Sequence, residues 1–436
     1  MAKVKNIQTL TIEEKLEQAF VPKSEQPYTI PKNWVWTKLG RLVDIKTGKE
    51  DANFATEQGK YFFFTCAEDP LLCDTSVFYG ESVLIAGNGA FHVNYYDGEF
   101  NAYQRTYVIQ NFKAVNGKFV YYHTLRDIQN ITSGNRGSTI RYIRLGDLTG
   151  SLFPLPPIPE QHRIVARIES LFEKLDHARE LVQSALDSFE TRKASILHKA
   201  FTGELTAKWR EKNGVGMDSW KKKRLGDCGL LERGRSKHRP RNASELFGGP
   251  YPFIQTGDVA NADVYITKHN QTLSEFGLNQ SKLFPKGTLC ITIAANIGDV
   301  AILSYDSCFP DSVVGFTPNE YTNSKFVYYL MNILQKQLEA EAPATAQKNI
   351  NLKVLNEITF RCPRIIEQQE IVRILDNLLE KEQQTQEQLE PILDQIDMMK
   401  KSILARAFRG ELGTNDPSEE SAMEFLKEIL VKGNQS

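Results

Sequence analysis

The densest chemistry-bearing stretch of this 436-residue chain is basic. Between Lys221 and Arg241 nine lysines and arginines stand against Asp227 and Glu232, a net of +7 over 21 residues. Cations at that density suit phosphate oxygens, and neutralising several of them makes binding fall steeply with salt. Arg233, Arg235, Lys237, Arg239 and Arg241 are its candidate contacts. A solvated strand edge, or the approach to the preceding helix, accounts for any one of them equally well. A sparser group holds Arg136, Arg141 and Arg144 with Gly134 and Gly137, and no acid lies between 133 and 146. Glycine lets a backbone approach base edges, and the arginine fork matches guanine; a surface turn uses the same residues. Arg105 stands just before the apolar run Thr106 to Ile109. Asn88 and Asn296 follow apolar strands, where an amide could read adenine, although an Asx turn is the commoner use.

Other chemistries lack their residues. The sequence holds no glycine-rich phosphate loop with its Lys and Ser or Thr, no Asn- or Asp-Pro-Pro-aromatic tetrapeptide and no HExxH helix. Six scattered cysteines form no CxxC pair and meet no histidine at a zinc spacing. No catalytic, cofactor or metal set is therefore expected. Net charge is −1 and pI about 6.7, so any binding of polyanions must come from local patches. Charges throughout Met1 to Phe20 exclude a signal peptide there, and no run reaches the ~20 apolar residues that span a bilayer. The expectation is a cytoplasmic protein with reduced thiols and no membrane partner.

The elements that must position these residues occur twice. Lys118-Phe119-Val120-Tyr121-Tyr122 returns as Lys325-Phe326-Val327-Tyr328-Tyr329, an offset of 207. The same offset carries Glu160-Gln161 onto Glu367-Gln368 and Ala200-Phe201 onto Ala407-Phe408. It also places Arg141 and Arg144 on Lys348 and Asn351, so a matching loop in the second copy runs through Gln347 and Lys348. The front ends match only in fragments, Trp34, Leu39, Gly40 and Gly48 answering to Trp220, Leu225, Gly226 and Gly234 at an offset of 186. Both Phe-Tyr pairs are expected in a core rather than stacked on bases.

At this length two or more domains are expected. The repeat divides the chain into an N-terminal segment (1–27), a strand-rich domain (28–158), a helical spacer (159–205), a linker (206–217), a second strand-rich domain (218–364), a second spacer (365–412) and a tail (413–436). In the first spacer Ile164, Ile168, Leu171, Leu175, Ala178, Val182, Ala185, Phe189 and Ile196 keep heptad spacing, interrupted at Arg192. In the second, Ile371, Leu375, Leu378, Leu389, Ile392, Ile396, Met399 and Ile403 do so, weakened at Glu382 and Thr385, with Pro391 expected to kink or interrupt the helix. The seam residues are expected to form core. About forty helical residues make a rod of roughly 60 Å. If the second domain is compact, its spacer buries its seam only by running back along the first, so the helices are expected to be antiparallel and the fold α+β with a pseudo-two-fold axis. Such a frame would hold two unlike readers about one to one and a half DNA turns apart. In the tail, Ala422, Phe425, Leu426, Ile429 and Leu430 share a helical face that either docks a partner or packs on the rod.

The duplicated order of these strings resembles the specificity subunits of Type I restriction-modification systems. The resemblance rests on Pro31 to Gly40, on Pro156-Pro157-Ile158-Pro159-Glu160-Gln161, on Ser195 to Leu205 with its repeat at 402 to 412, and on Ala346 to Leu352. The first domain departs by carrying Thr139 to Leu145 at the last of these places, and Pro159-Glu160-Gln161 becomes Ile366-Glu367-Gln368. The resemblance implies two target recognition domains on two antiparallel coiled-coil spacers. It implies a non-catalytic subunit that binds double-stranded DNA at a bipartite target, with two DNA methyltransferase subunits and restriction or translocase subunits as partners. A coiled-coil bridging protein whose two domains bind other proteins is the alternative. A fragment of a fused restriction enzyme is disfavoured by the missing motifs.

Overall fold

The computed structural model describes residues 20–132, 142–294, 297–341 and 351–432. It is an α+β chain of two strand-rich domains joined by long helices. Two compact units divide it, Met1–Val182 with Pro391–Ser436, and Gln183–Glu390. Each unit thus takes parts of both spacers. Among the described residues no helix is long and apolar enough to cross a membrane, and no group of side chains is placed to hold a metal ion.

The first unit is built on a six-stranded sheet. Its strands are β2 (Asp44–Thr47), β3 (Tyr61–Phe64), β4 (Leu71–Cys73), β5 (Phe78–Ala86), β6 (Val93–Ala102) and β7 (Thr106–Gln110), in the order β2-β7-β5-β6-β3-β4. Only β3 with β6 is parallel. Alternate residues of β5 enter two cores: Val83 and Ile85 join the main one, which holds helix α1 (Gly117–Thr132), while Leu84 joins Phe64, Phe100 and Val108 on the other face. Asn116 starts α1, its Oδ1 accepting the Phe119 N–H at 3.0 Å. A separate ribbon pairs β1 (Val35–Lys38) with β8 (Leu152–Leu155), after the short helix α2 (Leu145–Thr149). From this ribbon the chain enters α3 (Ile158–Asp187).

The second unit begins inside α3 and continues into α4 (Phe189–Phe201) and α5 (Ala207–Lys212). A ribbon of β9 (Lys221–Arg224) with β19 (Thr359–Cys362) repeats the β1–β8 arrangement, with α6 (Leu225–Cys228) beside it. Its main sheet has the order β10-β18-β15-β16-β12, comprising β10 (Gly229–Arg233), β12 (Tyr265–Ile266), β15 (Leu289–Thr292), β16 (Val300–Leu303) and β18 (Val313–Pro318). The first four of these strands pair as β2-β7-β5-β6 do. A four-stranded sheet absent from the first unit, β13-β11-β17-β14, adds β11 (Phe247–Phe253), β13 (Gln271–Leu273), β14 (Leu283–Phe284) and β17 (Ser307–Cys308). Short helices α7 (Thr256–Ala260) and α8 (Glu275–Gln280) lie between these strands in the chain; helix α9 (Ser324–Glu341) covers the main core, and α10 (Leu352–Glu357) precedes β19 and the long helix α11 (Ile365–Ala407).

Within each unit the spacer segments run antiparallel. In the first, Asp176 pairs with Lys400 and Arg179 with Asp397. In the second, Arg192 meets Glu382 at 2.9 Å and Arg210 meets Glu367 at 2.8 Å. Arg192 and Glu382, the polar interruptions of the two seams, are therefore partners. The seams themselves are thinner than expected. Ile164, Ile168, Phe189, Ile371, Leu375 and Ile396 are buried, but Leu171, Leu175, Ala178, Val182, Ala185, Ile196, Leu378, Leu389, Ile392 and Ile403 are half-buried, and Met399 is exposed. Two helices alone cover only one side of each seam residue, whereas Ile164, Ile168, Ile371 and Leu375 also join a domain core.

Of the kink or interruption expected at Pro391, the interruption is corrected: α11 is continuous across it. Pro391 and Glu387 are both exposed, so the proline ring lies on a face of the helix open to water. The interruption lies in the first spacer instead, at Ser188 between α3 and α4. Its Oγ donates to the Ala185 carbonyl at 2.7 Å, a back-bond that bends helices, and Phe189 beyond it is buried.

Each domain is completed by the end of the other repeat's spacer. Phe119 packs on Phe408 with ring centroids 4.9 Å apart, and Phe326 packs on Phe201 at the same distance. The tail behaves likewise. In helix α12 (Ala422–Lys432) the residues Ala422 and Leu426 are buried in the first unit's core, and Arg163 holds Glu419 through two bonds of 2.8 Å. Of the two uses left open for the tail, packing is the one seen, against domain core as well as helix. The side chains of Ile429 and Leu430 lie outside the described residues.

Candidate nucleic-acid interface

In the first unit the candidates gather at one corner of the sheet. The chain leaves β5 through Gly87, whose N–H donates to the Arg105 carbonyl at 2.8 Å. The Gly87 carbonyl accepts the Ile143 N–H at 2.8 Å, and Asn88 forms an isolated bridge with Tyr142. Asn88, Arg105 and Arg144 are thereby brought to one edge, with Arg105 and Arg144 exposed. Arg144 donates to the Tyr142 hydroxyl at 3.2 Å and its backbone N–H to Asp147, which fixes it as the start of α2. Tyr107 braces the corner by donating to the Ile143 carbonyl at 2.9 Å, and burial raises its phenol above the ordinary value. Gly48 lies against the same turn. A Cβ there would sit 1.8 Å from the Ala102 carbonyl oxygen, so only glycine lets the chain pass.

The second unit builds the equivalent corner differently. The Ile293 N–H donates to the Ser312 carbonyl at 3.0 Å, as Gly87 does to Arg105, and Ser312 is Arg105 plus the repeat offset. Gly234 repeats Gly48: its N–H donates to Val313, and a Cβ would lie 2.3 Å from the Pro310 carbonyl oxygen. Arg233 bonds the Asp311 carbonyl and Arg241 bonds the Asp311 carboxylate at 3.0 Å. Arg239 is spent on its own loop, donating to the carbonyls of Ser236 and His238 at 2.7 Å each. Arg235 and Lys237 are exposed and their side chains meet no partner among the described residues. Arg235, His238 and Arg241 line one shallow groove with Gln280 and Ser281.

The run of nine cations is not one patch. Lys221 to Arg224 lie on the β9–β19 ribbon, where Arg224 is tied to Asp227 and Glu357, while Arg233 to Arg241 lie at the far end of β10. Five residues of strand separate the two groups by about 13 Å. Arg136, Arg141, Asn296, Gln347 and Lys348 lie outside the described residues. One residue the motifs did not single out belongs with the rest: Lys49, exposed beside Gly48, with Glu50 accepting the Gln104 N–H at 2.8 Å. It is the counterpart of Arg235 at the 186 offset, and the Gly48–Gly234 match one position earlier was the signal that could have found it.

A family profile described as the Type I restriction modification DNA specificity domain matches the chain twice, over residues 31–183 and 217–391. The Type I restriction enzyme EcoDI specificity subunit of Escherichia coli is 31% identical over 398 residues, covering 88% of this chain and 89% of that protein. The putative type I restriction enzyme MjaX specificity subunit of Methanocaldococcus jannaschii is 23% identical over 366 residues, with coverage of 81% and 80%. The crystal structure of the HsdS subunit from Thermoanaerobacter tengcongensis shares the fold, with a TM-score of 0.62 and 21% identity over 89% of this chain and 100% of that one. With two profile matches spanning most of its length and a relative 31% identical over 88% of it, the chain belongs to the family of Type I restriction-modification specificity subunits.

Proposed function

We propose that this chain contributes no catalysis and reads double-stranded DNA for a Type I complex, each unit recognising one half of an asymmetric split target. The antiparallel spacers set the gap between the halves and offer docking surfaces to two DNA methyltransferase subunits and to restriction or translocase subunits. The observation that carries this reading is the doubled specificity domain, with an exposed cationic corner at the same place in each copy. The corners differ in side chains, Lys49, Asn88, Arg105 and Arg144 against Arg233, Arg235, Lys237, Arg239 and Arg241, so unlike half-sites follow. Arg136, Arg141, Asn296, Gln347 and Lys348 belong to the same proposal through their sequence neighbours. The mildly acidic outward faces of the spacers suit protein partners better than DNA.

Sequencing methylated bases in cells with and without the gene tests this. A split motif that disappears with the gene is the expected result; an unchanged methylome sinks it. Exchanging residues 28–155 for those of a relative should alter one half of the motif only.

A further inference from the structure

The duplication preserves one set of contacts that takes no part in the cationic corners. In the first turn of each spacer helix a fully buried glutamine amide is bonded at both ends. Gln161 Oε1 accepts the Asn116 N–H at 2.7 Å, and its Nε2 donates to the Pro156 carbonyl at 2.9 Å. Gln368 Oε1 accepts the Asn323 N–H at 2.9 Å, and its Nε2 donates to the Pro363 carbonyl at 2.9 Å. Asn116 and Asn323 in turn cap α1 and α9, accepting the N–H of Phe119 and of Phe326 at 3.0 Å. Two residues into those helices a lysine reaches the same spacer again: Lys118 to Glu169 at 2.6 Å and Lys325 to Asp376 at 2.8 Å. Every one of these residues maps onto its counterpart at the offset of 207.

The spacing of the two attachments matters more than their strength. Gln161 and Glu169, like Gln368 and Asp376, are eight residues apart, about 12 Å along a helix. One polar attachment would leave the spacer's direction to non-directional apolar contacts such as those of Ile164, Ile168, Ile371 and Leu375; two at that separation add fixed points that define it. The glutamine must also be an amide, because one end accepts while the other donates, and neither leucine nor an ionised carboxylate does both. The sheets and loops of the two units have diverged around this joint, which has kept its chemistry.

We propose that this two-pin joint sets the angle at which each reading unit sits on its own spacer. Gln161 and Gln368, supported by Lys118 and Lys325, are then positioning residues for the gap between half-sites and touch no base. The inference rests on the reading of the chain as a split-target subunit.

The test uses the full chain assembled with its methyltransferase subunits. Methylation is measured on duplexes that keep the wild-type half-sites and vary the gap by one or two base pairs. Gln161→Leu and Gln368→Leu should keep the base preference of both halves while preference for the correct gap falls about tenfold, since each strands a buried N–H and carbonyl. Lys118→Met and Lys325→Met, on the part-exposed pin, should shift the same ratio about threefold with unchanged folding, and arginine at either place should restore it. Gap preference equal to wild type in the lysine variants overturns the proposal, even if the glutamine variants fail to fold. So does a changed base preference in either half, which would make the joint part of the reading surface. A wild-type complex that methylates no split site sinks the functional reading itself.

Discussion

The two units share one skeleton and stabilise it by different chemistry. Each buries a glutamate in the first turn of its spacer. Glu160 is met by neutral donors, the Trp34 indole at 2.7 Å and Asn415 at 2.8 Å, and burial holds its carboxyl above the ordinary range. Glu367 is met by a cation, Arg210 at 2.8 Å, with Thr206 donating at the same distance. In the first unit the donors come from the domain's opening and from the tail; in the second they come from the linker after α4. The difference teaches that the repeat retains the acid while the segment after the opposite spacer supplies a donor to it, joined in the first unit by the domain's own Trp34. A second contrast lies in the cores. His123 is fully buried in the first unit against Phe153 and Phe408, and Leu330 takes its place in the second.

Breaking the first contrast gives the largest effect. Arg210→Met leaves Glu367 as an uncompensated buried carboxylate and should cost the second unit about 3–5 kcal/mol. Asn415→Ala removes a neutral donor that bonds Glu160 at 2.8 Å and the Asn33 side chain at 2.9 Å, and should cost the first unit about 1–2 kcal/mol. Hydrogen exchange, read separately in each unit, checks both; equal losses would show that the glutamates are held alike.

Acid sharpens the second contrast. Burial without a hydrogen-bond partner depresses the His123 imidazole from 6.5 to about 4, with Asp127 opposing the shift and Arg126 adding to it. The folded unit keeps the ring neutral while the unfolded chain protonates it, so this contribution to stability is intact above pH 6.5 and is lost as pH falls toward 4. Between pH 7 and pH 5 the loss should be about 2 kcal/mol. His123→Leu, copying the second unit, should remove that share of the acid sensitivity. Urea unfolding of the two proteins at both pH values decides it, and identical pH dependence would refute the assignment.

The corners give the smallest effect. Arg235→Ala and Lys49→Ala each delete a cation that meets no partner among the described residues and should lower the slope of log affinity against log salt by about 1. Arg224→Ala, which breaks only two exposed ion pairs at the ribbon, should leave the slope alone. A slope that falls equally for all three would mean that the whole basic run, and not its far end, meets the phosphates.

Much of this was legible in the chain. An offset of 207 requires only residue identity, and it marked Gln161 with Gln368 and Phe201 with Phe408 before any contact was known. Heptad spacing likewise announced two long helices, because the α-helical period is a local property. The sites were less legible. Of thirteen candidate contacts, Asn88, Arg105 and Arg144 share one corner, and Arg233 to Arg241 divide into cations used to build the loop and cations without a partner among the described residues.

Sequence alone therefore determined the duplication, the helical character of the two spacers and the absence of any recognisable catalytic motif, since these depend on residue type and spacing along one dimension. Tertiary structure decided that Phe408 closes the first core and Phe201 the second, that Ser188 interrupts its spacer while Pro391 does not, and that Asp311 occupies two of the arginines. The physical reason is the same in each case: a side chain's free energy depends on which surface lies opposite it, and chain distance does not encode that surface.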